Sequence, residues 1–150
     1  MIQSLERGFV TGADPVCPML RHEPKSEENR CWPEATVKRS VENAEHYHWG
    51  DRCDGWVLSP SPDMMVIQER MPAGTAERRH VHGKARQFFY VLSGELAMEL
   101  EGTRHLITAM SGIEIPPGSR HQARNDSGAD VHFLVVSSPT TRGDRTDLDG

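Results

Sequence analysis

Apolar and polar residues alternate over short stretches of this chain, and glycine or proline closes most of those stretches. From about residue 36 onward this pattern predicts a succession of β-strands. Residues 64–70 (MMVIQER) read as a strand that stops at the breaker cluster Pro72, Ala73, Gly74. Residues 78–82 read as a short strand. Residues 87–92 (QFFYVL) are aromatic and β-branched and end at Ser93 and Gly94. Residues 95–101 (ELAMELE) alternate strictly, which places Leu96, Met98 and Leu100 on one face of a half-buried strand. Gly102 and Thr103 turn the chain into residues 104–108, and residues 112–115 lead into the turn Pro116, Pro117, Gly118. Residues 121–125 and 131–137 (VHFLVVS) are the last two strands. On the final one, either Phe133 and Val135 or Leu134 and Val136 point inward. Many short strands, no long helix and no repeat predict an all-β sandwich or barrel.

The flanks read differently. Residues 1–35 are rich in breakers, including Gly8, Gly12, Pro15, Pro18, Pro24 and Pro33, and read as an irregular N-terminal arm. Phe9, Val10, Met19, Leu20 and Trp32 would dock part of that arm on the barrel or on a partner subunit. The barrel then occupies residues 36–140, and residues 141–150 read as a polar C-terminal tail. The 150 residues carry a formal charge of −5. No basic run marks a nucleic-acid surface or a polybasic membrane patch, and no apolar stretch is long enough to span a bilayer. Residues 1–10 have no apolar core of a signal peptide. Cys17, Cys31 and Cys53 are odd in number and form no C-x-x-C pair, so a reduced, cytoplasmic setting is expected.

The candidate chemistry begins with His80 and His82. On a strand this i, i+2 spacing points both imidazoles to one face, where they make half of a metal site or a pair of solvated histidines. Their surroundings favour the metal. Gly74 stands six positions before His80, Gln87 five after His82, and Gly94 seven after Gln87. Downstream runs Pro116-x-Gly118-x-x-His121-x-x-x-Asn125. These spacings resemble the two motifs of the cupin superfamily, G-x5-H-x-H-x3,4-E-x6-G and G-x5-P-x-G-x2-H-x3-N. Two positions depart. Met110 stands where the second motif opens on glycine, with Gly112 two residues late, and Gln87 stands where the first motif has glutamate.

The resemblance implies a double-stranded β-helix, or jelly-roll, cupin barrel holding one divalent metal, Fe, Mn, Ni or Zn. His80, His82 and His121 fall on the three histidine positions, and Gln87 on the fourth ligand position. Phosphomannose isomerases are similar in using a glutamine there. A neutral glutamine oxygen would leave the site a net charge near +2 rather than +1. The metal would then be held less tightly but be a stronger Lewis acid, suited to an anionic, chelating substrate. Alternatively Gln87 lies near the metal without touching it, leaving a three-histidine site like that of some cupin dioxygenases. Asn125 falls on a structural position. The expected partner is a small molecule, and a homodimer is expected because single-domain cupins commonly pair. Either Lewis-acid or dioxygenase chemistry fits these residues, as does a barrel that binds a small molecule or metal without turnover.

Alternation assigns the rest of the pocket. Arg78 shares the face of His80 and His82 and would either bind an anionic group or reach solvent. Phe89 and Val91 share the face of Gln87 and would wall the cavity, with Phe88, Tyr90 and Leu92 facing outward. Met98 lies beside the pocket or in the core, and Ala123 shares the face of His121 and leaves room for a ligand. Glu69, Glu77 and Glu114 are acid/base candidates without a defined position. His46 and His48 form a second H-x-H, which reads either as a second metal site or pocket lip or, since no further ligand falls at useful spacing, as an aromatic-rich edge strand and turn packed on the barrel.

Overall fold

The computed structural model describes residues 38–148. The N-terminal arm and its docking residues lie outside the described residues. Eleven strands follow one another: β1 (Glu45–Trp49), β2 (Cys53–Pro60), β3 (Met65–Met71), β4 (His80–His82), β5 (Arg86–Ser93), β6 (Glu95–Leu100), β7 (Thr103–Thr108), β8 (Gly112–Ile115), β9 (His121–Arg124), β10 (Val131–Ser138) and β11 (Arg145–Asp147). They form two antiparallel sheets, ordered β1-β2-β3-β10-β5-β8 and β11-β4-β9-β6-β7. This is the expected all-β jelly roll, and among the described residues there is no helix long and apolar enough to cross a membrane.

The period-2 pattern decides which side chains meet between the sheets. On β10, Val131, Phe133, Val135 and Ser137 are buried and their neighbours are not, so Phe133 and Val135 are the inward pair. β10 is central in its sheet, flanked by β3 and β5, with Phe133 opposite both Glu69 and Val91. Leu96 and Met98 of β6 and Ile115 of β8 join Phe133 and Met71 in one core. Each such side chain contributes roughly 1.5–3 kcal/mol by leaving water. Phe88 on the outer face is 42% exposed.

Two turns fix the sheet ends. Gly94 has φ +82°, and a Cβ there would come 2.6 Å from the Asp130 carbonyl, so only glycine fits the β5–β6 turn. Asn125 is fully buried and ties three segments together. Its Nδ2 donates to the carbonyls of Met71 and Ala129, and its Oδ1 accepts from the Ser127 amide and hydroxyl. Its side chain satisfies backbone groups that would otherwise be buried alone, which gives the motif asparagine its structural role.

The ends of the barrel depart from the sequence reading. β4 is only three residues long, so residues 78 and 79 precede the pleat. Residues 145–147, read as part of a polar tail, instead form an edge strand on β4. Their side chains carry no apolar periodicity, and only the backbone ladder reveals them as a strand.

Candidate metal centre

β4 and β9 lie side by side, with His80 opposite His121 in their antiparallel register. The turn ahead of β9 is set by Gly118, at φ +78°, whose amide donates to the His82 carbonyl at 2.8 Å. This backbone bond ties the second motif's turn to the first motif's strand. The ring centroids of His80 are 4.9 Å from His82 and 4.2 Å from His121. All three rings are at least 96% buried by residue, and each offers a ring nitrogen within 4.8 Å of the others.

The outward side of each ring settles its tautomer. Nδ1 of His80 lies 2.9 Å from the Arg78 carbonyl, Nδ1 of His82 lies 3.2 Å from that of Asp144, and Nδ1 of His121 lies 3.0 Å from that of Ser119. A carbonyl only accepts, so each Nδ1 carries the proton and each Nε2 keeps a free lone pair. Nε2 of His121 is buried with no hydrogen-bond partner. Burial also holds the rings neutral: it pushes His80 down to about 3 and lowers His82 and His121. Three neutral imidazoles, each oriented by a backbone carbonyl, fit a divalent metal that accepts nitrogen ligands. Gln87, on β5, is 6% exposed, and its Oε1 is likewise buried without a partner. That orphaned oxygen fits the role of a fourth ligand.

A cavity of about 150 Å³ opens beside His80, His82 and Gln87. Its far wall is built in one row across the first sheet. Tyr47 on β1 lies opposite Gly55 on β2, which lies opposite Glu69 on β3. With no side chain at Gly55, the Tyr47 ring lies over it, and its hydroxyl donates to Glu69 Oε1 at 3.2 Å. Burial raises Glu69 to about 8, reinforced by the charge of Glu77. Burial likewise raises Glu77 to about 7, although the Ala123 amide donates to its Oε1 at 2.9 Å. The phenol of Tyr47 is held neutral by burial and by Glu69. Arg145 of β11 supplies the cavity's cation. It lies opposite His82, and its Nη1 is 3.7 Å from Glu77 Oε2. Ser137, opposite Gln87 on β10, presents a buried hydroxyl oxygen with no partner.

A Cβ on residue 55 would lie 2.6 Å from Tyr47 Oη and overlap its ring. Gly55→Ala should therefore expel the ring from its place beside Glu69 while sparing the histidines. The expected result is a fall in Tyr47 burial, read as tyrosine fluorescence quenching or ring NMR shifts, with metal affinity unchanged.

Of the pocket residues expected from alternation, Phe89 lines the cavity and Arg78 does not. The Arg78 side chain is 75% exposed and points toward Asp147, 4.0 Å away. The pleat starts at His80, so period-2 reasoning does not extend back to residue 78. Val91, Met98 and Ala123 are buried in the core rather than on the cavity surface. Glu69 and Glu77 both take up positions at the site, whereas Glu114 pairs with Arg86 on the outer surface. Neither alternation nor motif spacing points to Tyr47, Ser137 or Arg145. Tyr47 sits in an edge strand whose register to β3 only the fold supplies, and Arg145 sits in the segment read as a tail.

The family described as "Cupin domain" matches residues 67–137, a span that contains the three histidines and Gln87. Polyketide synthase CurC of Streptomyces cyaneus is 30% identical over 69 residues, which are 46% of this chain and 45% of that protein. The chain thus matches less than half the length of that curated relative. Among solved structures, the nucleoside dehydratase Pac13 of Streptomyces has a TM-score of 0.65 at 18% identity, with 76% of this chain and 92% of that one covered. A sugar phosphate isomerase of the cupin superfamily from Silicibacter pomeroyi has a TM-score of 0.64 at 21% identity, with 76% and 83% covered. At such identities the likeness is one of fold. The barrel topology, the motif-borne histidines and these matches agree, and residues 67–137 are a cupin domain.

Proposed function

We propose that this cupin is a metal-dependent enzyme that moves protons on a small, oxygen-rich, anionic substrate, in the class of isomerisation, dehydration or cyclisation. The observation that carries this reading is the Glu69 carboxyl, hydrogen-bonded to Tyr47 on the wall of the same cavity as His80, His82 and Gln87. His80, His82, His121 and Gln87 would hold the metal, which when bound supplies Lewis acidity toward a substrate oxygen. Glu69 gains or loses a proton near neutral pH, the range in which a general acid/base is most effective. Tyr47 orients that carboxyl by donating to it. Arg145 attracts a carboxylate or phosphate and keeps it beside the histidines. The apolar wall of Ile67, Phe89 and Val135 limits water at the reacting atoms. A dehydratase and an isomerase share the fold, and reactions of those types need this inventory of proton carriers, which dioxygenation uses less.

The test is solvent-isotope exchange. Metal-loaded protein is incubated in D₂O with a panel of sugar phosphates, nucleosides and 2-oxo acids. Deuterium entry into a carbon position of one substrate class, without O₂ consumption, is expected. Iron-dependent O₂ uptake triggered by a substrate would replace this reading with a dioxygenase, and metal binding with neither response would make the barrel a binding module.

Gln87 has its own test. Gln87→Glu adds a negative charge to the ligand set, so the metal should bind tighter by roughly tenfold or more, as measured by competition with a chelator. An unchanged affinity would place Gln87 outside the coordination sphere.

A further inference from the structure

The outer face of β1 and β2 carries a second set of ligating side chains that the proposed reaction does not use. His46 and His48 alternate with Tyr47 on the edge strand, so they project away from the cavity that Tyr47 lines. Strand pairing supplies the ligand that spacing alone did not. His48 lies directly opposite Asp54 of β2. His46 Nε2 and His48 Nδ1 each stand 2.9 Å from the same oxygen, Asp54 Oδ1, and the three ligand atoms lie within 4.8 Å of one another.

The surroundings are built to present that oxygen. Asp54 is only 7% exposed. Its other oxygen, Oδ2, accepts from Arg70, 2.6 Å from Nη2 and 2.8 Å from Nε, and Arg70 Nη1 in turn binds Asp130 at 2.7 Å. Oδ2 is thereby committed and Oδ1 is left to the histidines, an outer partner fixing a carboxylate ligand. The two carboxylates outweigh the guanidinium by one negative charge, which favours a dication. The His46 ring stacks on Trp56 with centroids 5.0 Å apart and planes 21° apart, which restrains its orientation. His48 remains largely open to solvent, with its side chain 77% exposed, so water has access to complete a coordination shell.

We propose that His46, His48 and Asp54 form a second, surface metal site for a divalent cation of the zinc class, separate from the buried histidine triad. In this structure His46 Nε2 is hydrogen-bonded to Oδ1, and His48 Nδ1 stands 2.9 Å from the same oxygen. A tautomer shift turns each of these nitrogens into a lone pair, so the cation takes the place of the His46 hydrogen bond and gains His48 as a ligand. Two histidines and one carboxylate are a ligand set that zinc accepts in four-coordinate sites completed by water. Because Tyr47 lies between the two histidines, a cation there would also pin the strand that carries Tyr47 into the cavity.

The experiment is calorimetric titration of metal-stripped, full-length protein with Zn²⁺. His48→Ala and His46→Ala change partly exposed residues and should leave the fold intact, as checked by circular dichroism. The wild type should bind one zinc equivalent more than either variant, and any zinc held elsewhere on the chain cancels in that difference. His121→Ala should lose a different equivalent, so failure of the buried site is read separately. Asp54→Asn should weaken the surface equivalent at least tenfold, and the ¹⁵N shifts of the His46 and His48 rings should move on zinc addition. Equal stoichiometry in wild type, His46→Ala and His48→Ala would overturn the proposal. So would loss of zinc in one of these two variants but not the other, since that would mark a single exposed imidazole acting alone.

Discussion

Replacing His121 with alanine is expected to abolish specific metal binding at the buried site. The variant removes one of three converging imidazoles, the one whose Nε2 is fully buried without a hydrogen-bond partner. Losing even an outer partner of a ligand costs roughly 10–100-fold in metal affinity, so losing the ligand itself should exceed roughly 100-fold. The effect can be read without a substrate. Metal present at a hundred times its dissociation constant should stabilise the wild type by about 2.7 kcal/mol and raise Tm by roughly 10 °C. In His121→Ala that rise should vanish. Comparing each protein with and without metal cancels the variant's own cost, which comes from lost packing volume and one hydrogen bond to the Ser119 carbonyl. An undiminished metal-induced rise would show that the triad is not the binding site.

Glu69→Gln should produce the second large effect, and its sign follows from the direction of the shift. Burial raises the folded-state pKa of Glu69 from 4.5 to about 8. The folded protein therefore binds this proton more tightly than the unfolded chain. The resulting stability is fully present below about pH 4.5 and is lost as pH rises through about 8. Metal-free wild type should thus weaken over that interval by on the order of 2–4 kcal/mol from this group. Glu69→Gln removes the titration and keeps an acceptor for the Tyr47 hydroxyl. Its stability should be flatter with pH and exceed the wild type's at pH 8, as measured by denaturant unfolding. A bound dication reverses much of the penalty, since it favours the carboxylate, so metal binding near pH 7 should release protons. Once a substrate is known, the same variant should lose roughly 10²–10⁴-fold in kcat if Glu69 carries the proton.

The strands that hold the histidines were legible in the sequence because they obey simple rules. Alternation on residues 131–137 and 95–101, the glycine and proline turns, and the spacing of His80, His82 and His121 all report local geometry. The opposite wall was much less legible. Glu69 reads as one polar residue in a strand, and nothing near it in sequence says that Tyr47 will cross an intervening glycine to reach it. That contact depends on the register of three strands. Of the two readings of Arg78 the solvent-facing one holds, for a related reason: alternation extends only within a pleat, and the pleat begins two residues later. Arg145 took the place expected for Arg78, on a strand too short and too polar to show a period. Asp54 stood close to His46 and His48 in sequence, yet hairpin pairing rather than spacing made it their neighbour.

β4 carries two of the three buried histidines, yet it meets the rest of its barrel sheet through one residue pair, His80 with His121, and meets β11 through three. Asp144 adds to that attachment by accepting the Lys84 and Ala85 amides at 3.0 and 2.8 Å. The β4–β11 ribbon is consequently joined to its sheet by a narrow seam, the His80–His121 pair and the bond from the Gly118 amide to the His82 carbonyl. A metal shared by β4 and β9 would bridge that seam, so its departure should appear as faster amide exchange at Val81 and Thr146, at an opening energy well below that of global unfolding. A cation held there would close the barrel, and loading it would be a folding step confined to one edge.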